Sequence, residues 1–525
     1  MITLSFRIAG GDFDSAGLAA RKLKEQLSKL GVDASVLRRA MIAAYEAEMN
    51  VVIHARTGTL WARVDETKLD LEVADEGPGI PDVALALQEG WSTASEQARQ
   101  MGFGAGLGLP NIRRSSDHFQ IETRVGRGTR IRSTILFGTG SPSAAQAPVS
   151  AIPLMVDADR CRGCRRCIFA CPVGAIRARD RRPVLREHLC IGCTACIEEC
   201  PDSAFDIPRA PLPVVPADAL LLAPRGLLAA LFGIRPPEQV LSALRELGFT
   251  EVRLLEEWEE SLLAEARREA AARELPLPRI PPLCPPITAV IESRFPSLIP
   301  NLCVFHSPAE AACEEFPLRP VFLVAACPGQ YGECSRSSLT ERLTVVSPAA
   351  LKAAIRPLLD VQPAGRLPLG VAVPHRASPQ PGELAASGAR SVLRVLSRAE
   401  TGALGRAALL ELRFCAGGCS ASPLLGSQPE LTDMWQTVAV TAGVTPQVPA
   451  GVAARAMPFA QRPGLRLDAA MGEAIRKLSR IDGETRSLPG RDCGSCGAPS
   501  CAAFAEDVVM GRAARADCPF TENHR

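Results

Sequence analysis

The chain has 525 residues, is 47% apolar and carries a formal net charge of +2. That is length for several domains, and too little charge for a protein held on nucleic acid by bulk electrostatics. The most apolar stretch, ALLLAPRGLLAALFGI (219–234), is broken by Pro224 and Arg225, short of the roughly 20 apolar residues that cross a bilayer. The N-terminus MITLSFRIAGGDFD has no basic segment followed by an apolar one, so no secretory signal is read. The expectation is a soluble, cytoplasmic protein with neither nucleic acid nor membrane as partner. Its 19 cysteines are bunched mostly at gaps of two to four residues, a spacing for metal ligation rather than disulfides.

The first predicted element of consequence is a helix, VLRRAMIAAYEAEMNVVIHA (36–55), with apolar residues at 37, 41, 42, 45, 49 and 52. Glu46, Asn50 and His54 fall at i, i+4 and i+8 and share one face. Downstream come DEGPGI (75–80), GFGAGLGL (102–109) and GRGT (126–129). Taken singly, a polar stripe is a solvated face and a glycine run is a loop.

In this order the motifs change meaning. E-x-x-x-N, D-x-G-x-G, G-x-G-x-G-x-G and G-T follow one another within about one hundred residues. Residues 1–137 thereby resemble the GHKL ATPase fold of histidine kinases. Without dimerisation helices or a phospho-accepting His box, they look most like anti-sigma-factor serine kinases. The resemblance implies ATP and Mg²⁺ as ligands. Asn50 would hold Mg²⁺ and Glu46 would be the general base toward a partner's hydroxyl. Asp75 would accept the adenine amino group, Gly77 and Gly79 would let the base approach, and Thr129 would close that side. Gly102, Gly104, Gly106 and Gly108 would form a lid of amides around the phosphates. Phosphoryl transfer needs such a metal ligand, base and set of amide donors in any family.

GTGSPSAAQAPVS (138–150) opens a linker read at 138–151, and residues 152–209 hold a repeat, C-x-x-C-x-x-C-x-x-x-C-P. Its first copy is Cys161, Cys164, Cys167 and Cys171, closed by Pro172; its second is Cys190, Cys193, Cys196 and Cys200, closed by Pro201. This is the two-cluster bacterial ferredoxin pattern, in which each fourth cysteine ligates the other cluster. The inferred sets are Cys161, Cys164, Cys167 with Cys200, and Cys190, Cys193, Cys196 with Cys171. A pair of zinc knuckles, the alternative, has no need of a crossover.

After a second linker, PRAPLPVVP (208–216), apolar runs alternate with helical ones in a βαβα-like pattern that implies a partly parallel sheet. Three loops carry Cys284, Cys327, and Cys415 with Cys419. Residues 212–450 thereby resemble the C-terminal domain of the large FeFe-hydrogenase polypeptide, where four such cysteines hold a 4Fe–4S cluster and one bridges to a di-iron site, here Cys419 by position. The chain departs from that family. Leu283 stands where a cysteine relays protons, Gln330 where a lysine holds a cyanide ligand, and Arg413 where a methionine is expected. The resemblance therefore implies a cubane without proton machinery; four packed thiols are the plainer reading. Cys303, Cys313 and Cys334 are read as packed thiols, with Cys334 an alternative ligand by its closeness to Cys327.

The last segment, 482–525, has Cys493, Cys496, Cys501 and Cys518, with SCAAFAEDVVMGRAA (500–514) read as one helix between the last two. It resembles the small 4Fe–4S domain of electron-transfer and corrinoid proteins; a zinc site is the alternative.

The expected fold class is multidomain α/β and α+β: a two-layer α/β GHKL sandwich, a small α+β ferredoxin, an α/β hydrogenase-like domain and a small helical Fe–S domain. The expected function is a redox sensor and regulator joining 4Fe–4S clusters to an anti-sigma-type serine kinase module, associated with hydrogen or ferredoxin metabolism. Its partners would be ferredoxin or hydrogenase subunits for electrons, and a regulatory protein of the anti-sigma-antagonist or serine-phosphatase type. The alternative is an electron-transfer or catalytic component of an FeFe-hydrogenase.

Overall fold

The computed structural model describes residues 1–96, 98, 104, 106–138, 152–334, 337, 339, 341–359, 380–426, 452–455, 458–462 and 466–521. Gly102, the linker after Gly138, and residues 427–451 of the third region lie outside the described residues. Among the described residues no helix is long and apolar enough to cross a membrane.

The N-terminal domain comprises β1 (Ile2–Ala9), α1 (Leu18–Lys29), α2 (Ala34–His54), β2 (Thr57–Val64), β3 (Lys68–Asp75), α3 (Val83–Ala86), α4 (Gly108–Ser115), β4 (His118–Arg124) and β5 (Gly128–Leu136). Its antiparallel sheet has the order β1-β2-β3-β5-β4. Strict alternation puts Leu60, Ala62, Leu69, Leu71 and Val73 on the face covered by Leu37, Met41 and Ala44 of α2. The opposite face carries ion pairs, Arg130 to Glu72 at 2.8 Å among them. One covered and one wet face is what such alternation dictates. The α2 helix starts two residues earlier than read, because Asp33 caps it by accepting from the Ser35 N–H at 2.8 Å.

The cysteine repeat folds as a structural repeat: β6 (Met155–Val156), α5 (Arg166–Ala170), the hairpin β7 (Ile176–Arg179) and β8 (Arg182–Leu185), α6 (Ala195–Glu198) and β9 (Phe205–Asp206). The residue after each second cysteine, Arg165 or Thr194, is left-handed, with φ of 66° and 67°.

In the third domain the apolar run 219–234 divides at Pro224 into β10 (Ala219–Ala223) and α7 (Arg225–Phe232). There follow α8 (Pro237–Glu246), β11 (Phe249–Leu254), α9 (Glu256–Ala272), α10 (Pro285–Arg294), α11 (Pro308–Glu315), β12 (Val321–Val324), α12 (Pro328–Cys334), β13 (Leu343–Val346) and α13 (Pro348–Ile355). The sheet is parallel, in the order β11-β10-β12-β13. A separate parallel pair, β14 (Glu383–Ser387) and β15 (Leu409–Arg413), is crossed by α14 (Ala389–Glu400).

The C-terminal domain has α15 (Met471–Ser487) and α16 (Cys501–Val509), and the boundary read at 482 falls inside α15. The helix read over 500–514 is shorter in the structure. It stops at Val509 because Gly511 turns left-handed (φ 69°) and the N–H groups of Arg512 and Ala513 turn back to the Asp507 carbonyl at 2.7 and 3.2 Å.

Four joints connect these domains in a cycle. Ile475, Leu478 and Phe504 share one core with Leu23 and Leu27 of α1, and Lys29 pairs with Glu506 at 3.2 Å. Asp507, fully buried, receives Arg177 at 2.7 Å, Arg179 at 3.2 Å, and Arg186, all from the ferredoxin repeat. The Gly329 N–H of the third domain donates to the Gly192 carbonyl at 3.2 Å. Finally Glu400 receives buried Lys24 of α1 and the Ser297 hydroxyl, while the Lys24 ammonium stands 3.9 Å over the Phe295 ring.

Candidate functional site

The polar face of α2 opens into a cavity of about 1370 Å³. Glu46, Asn50, Asp75, Gly79, Gly104, Gly106, Gly108 and Thr129 all line it, so nearly the whole predicted nucleotide set meets in one place. Asp75 is fixed by the Gly77 N–H at 2.8 Å and the Thr129 N–H at 3.2 Å. Burial raises its carboxyl above the usual value, and those two bonds pull it back. Glu46 is raised by burial too, opposed by Asn111, whose Nδ2 donates to Glu46 Oε1 at 2.6 Å. Burial lowers His54, with Asp75 opposing. The Asn50 side-chain nitrogen is buried without a hydrogen-bond partner among the described residues. A buried orphan of this kind is costly unless a ligand or water meets it. Gly108 is the first residue of α4, and a Cβ there would stand 3.0 Å from Asn50 Oδ1 and 3.4 Å from Glu46 Oε2. A side chain there would have to push the Asn50 or Glu46 tip aside by a few tenths of an ångström, so glycine lets α4 sit against the polar face undisturbed.

The cysteines form four groups. Cys161, Cys164, Cys167 and Cys200 line one small cavity, and Cys171, Cys190, Cys193 and Cys196 another. The crossover of fourth cysteines read from the repeat is present in the fold. Matching amides serve the crossing sulfurs: Ala175 N–H donates to Cys171 Sγ at 3.1 Å and Ala204 N–H to Cys200 Sγ at 3.3 Å. Cys493, Cys496, Cys501 and Cys518 line a third cavity. In the third domain Cys284 is close enough to raise the thiols of both Cys327 and Cys419, and Cys415 is close enough to raise those of Cys284 and Cys327. Burial drives Cys284 up to about 12 and Cys327 and Cys419 well above the usual thiol value. Buried thiols become thiolates when a metal supplies the countercharge. Among the described residues no three His, Cys, Asp or Glu side chains converge to hold a single metal ion; the cysteines of the ferredoxin repeat and of the C-terminal domain ring small cavities instead, an arrangement that fits a polynuclear cluster.

Residues 36–138 match the family "Histidine kinase-, DNA gyrase B-, and HSP90-like ATPase". The chain is 31% identical over 121 residues to the serine/threonine-protein kinase RsbT of Bacillus subtilis, covering 22% of this chain and 85% of that protein. Through its N-terminal domain the chain belongs to this ATPase family. To an anti-sigma F factor of Caldanaerobacter subterraneus it is 35% identical over 101 residues, 18% of this chain and 67% of that protein. Further family matches are "4Fe-4S dicluster domain" over 153–201, "Iron only hydrogenase large subunit, C-terminal domain" over 223–315 and "Putative Fe-S cluster" over 488–520. This ATPase is thus followed by two iron–sulfur domains flanking a hydrogenase-like one. A solved FeFe-hydrogenase HydA1 from Chlamydomonas reinhardtii shares 16% identity at TM-score 0.33, over 50% of this chain and 89% of that one.

Two groups at the ATPase site escaped the sequence reading. Asn111 lies one turn into α4, and its signal was its place three residues after Gly108. Thr123 hydrogen-bonds Thr129 at 3.0 Å and accepts from the Ile80 N–H at 2.8 Å, tying the GRGT turn to the DEGPGI loop; no motif marks it.

In the hydrogenase-like domain, the three positions read above as departures are each engaged within this chain. Leu283 is packed in the apolar core with Trp258 and Leu262. The Gln330 side-chain oxygen accepts from the Ala326 N–H within its own loop. Arg413 pairs with Glu259 at 2.8 Å. Cys303, Cys313 and Cys334 lie in the same core as Leu283.

Proposed function

We propose that this chain is an iron–sulfur redox regulator in which 4Fe–4S clusters bias an ATP-binding serine kinase module. One observation carries the reading: the cysteine groups form a series, and both ends of the series meet the ATPase domain. Ala178 lines the cavity of Cys161 and its N–H donates to Gly497, inside the C-terminal cysteine loop, at 2.7 Å. Pro328, next to Cys327, lines the cavity of Cys190, and the Thr194 hydroxyl lies 3.7 Å from Cys415 Sγ. At one end Cys518 belongs to the core shared with α1; at the other, β15 runs from the Cys415 loop to the nucleotide cavity.

Each of the four groups offers four thiols, which suits one 4Fe–4S cluster apiece. Such clusters supply single-electron transfer at low potential. In the ATPase cavity, Asn50 would hold Mg²⁺, Asp75 the adenine amino group and the Gly104–Gly108 amides the phosphates. Glu46 would take the proton of a partner's serine hydroxyl. RsbT is named as a serine/threonine kinase and its relatives as anti-sigma factors; a regulatory protein bearing a phospho-accepting hydroxyl is the matching partner here. Hydrogen turnover is not part of this reading, since Leu283 has no proton to relay and Gln330 is bonded within its own loop.

The test is anaerobic purification with iron and sulfide counts, then ATP binding to oxidised and dithionite-reduced protein. About sixteen irons, from four cubanes, with redox-dependent ATP affinity are expected. About eight irons with identical affinities would defeat the proposal.

A further inference from the structure

The nucleotide cavity is not walled by the ATPase domain alone. Residues 398–408, the end of α14 and the turn into β15, line it together with Glu46, Asn50 and the glycines. This wall brings Arg398 and Arg406 to the cavity, both exposed. Neither is paired with a carboxylate among the described residues; Arg398 Nη2 donates only to the Ala403 carbonyl, at 3.0 Å. Arg38 and Arg114 of the ATPase domain, also lining residues, already have partners: Asn301 at 3.4 Å and Glu89 at 2.6 Å. Arg398 is near enough to Tyr45, the neighbour of Glu46, to act on its hydroxyl. A large cavity walled by guanidinium groups that no carboxylate among the described residues neutralises suits a polyanion, and the guanidinium fork matches phosphate oxygens.

The same segment leads to the cysteines. The Gly388 N–H, before α14, donates to the Arg413 carbonyl at 3.1 Å, two residues from Cys415. The Gly417 N–H, inside the cysteine loop, reaches the Ser387 hydroxyl at 3.5 Å. Twelve helical residues later, about 18 Å at 1.5 Å per residue, α14 ends at Glu400 on the cavity wall. From there β15 returns to the cysteines. The β14–α14–β15 unit therefore touches the Cys415 loop with one end and the nucleotide cavity with the other.

We infer that Arg398 and Arg406 are phosphate-binding residues of the nucleotide site, supplied by a domain outside the ATPase fold, and that the β14–α14–β15 unit is the physical link between the Cys415–Cys419 loop and the bound nucleotide. This rests on the reading that the cavity binds ATP. Movement at the cysteine loop would shift both arginines as one body, which gives the two sites a shared element to bias.

The experiment compares full-length parent, R398A/R406A, R398K/R406K and N50A proteins, prepared anaerobically, by calorimetric titration with MgATP and with adenosine. Removal of both arginines is expected to weaken MgATP by about tenfold or more and leave adenosine unchanged, with partial rescue by lysine. The difference in MgATP affinity between oxidised and reduced protein should also shrink. If R398A/R406A binds MgATP like the parent while N50A does not, the nucleotide reading stands and the arginine assignment falls. Equal losses for MgATP and adenosine would also overturn it, as general damage. An undiminished redox difference in R398A/R406A would overturn the link. A parent that binds no MgATP would bring down the nucleotide reading itself.

Discussion

Asn111 Nδ2 donates to Glu46 Oε1 at 2.6 Å, so the first turn of α4 holds the carboxylate that α2 presents to the nucleotide cavity. Burial raises the Glu46 carboxyl and Asn111 opposes the rise. A general base works only when deprotonated, so the acid limb of phosphoryl transfer should lie above the ordinary glutamate range. In N111A, with the opposing bond gone, that limb should move to still higher pH. The pH profile of autonomous or partner-directed phosphorylation reads this directly. In E46Q the rate should fall by about 10²–10⁴-fold with MgATP binding retained; loss of binding instead would make Glu46 a structural residue.

Asn50 presents a buried amide nitrogen without a partner among the described residues. Asn50→Leu removes the orphan, and the apo protein should lose little stability or gain some. MgATP affinity should drop by about tenfold or more, the scale of one lost buried polar contact. Paired melting curves with and without MgATP separate the two effects, and a variant stabilised by nucleotide as much as the parent would contradict the assignment.

Asp507 is completely buried and answers Arg177, Arg179 and Arg186. Asp507→Asn leaves buried cations without their counterion, at a cost of about 3–5 kcal/mol. The loss should appear as separation of the C-terminal domain from the ferredoxin repeat: faster proteolysis after Ser487 and faster loss of iron from the Cys493 group. Replacing Glu506, which is partly exposed, should cost far less.

Lys24 and Glu400 meet in a buried ion pair between ATPase and hydrogenase-like domains. Burial pulls the Lys24 ammonium below its usual value, and Glu400 opposes that. Glu400→Gln should therefore destabilise the joint by about 3–5 kcal/mol, and K24M/E400Q should recover much of it, since a lone buried charge costs more than an absent pair. Hydrogen exchange over 18–30 and 295–301 should rise in the single variant and fall back in the double one.

Much of the site was readable because its chemistry is local. That Glu46, Asn50 and His54 share one face follows from helical period, while their roles and the ferredoxin crossover were legible through the families that the motifs resemble. The long α2 was legible because its apolar stripe and its polar stripe agree. What escaped depends on tertiary partners. Asn111 and Thr123 matter through what they touch. The early end of α16 is set by Gly511 within a run of good helix formers. The loop after α14 carries no motif at all, and its place on the nucleotide cavity arises from packing between residues far apart in sequence, such as Lys24 and Glu400.

The cycle of four joints has a mechanical consequence. Bodies hinged in an open row can each swing independently. Bodies hinged in a loop behave as a four-bar linkage: the angle at one hinge constrains the other three. A small rotation where Gly192 meets Gly329 must be taken up at the Asp507, Glu506 and Glu400 hinges together. Cutting one hinge turns the loop into an open row: the parted domains stay tethered through the other three joints at high effective concentration, but the angle at one hinge no longer fixes the rest.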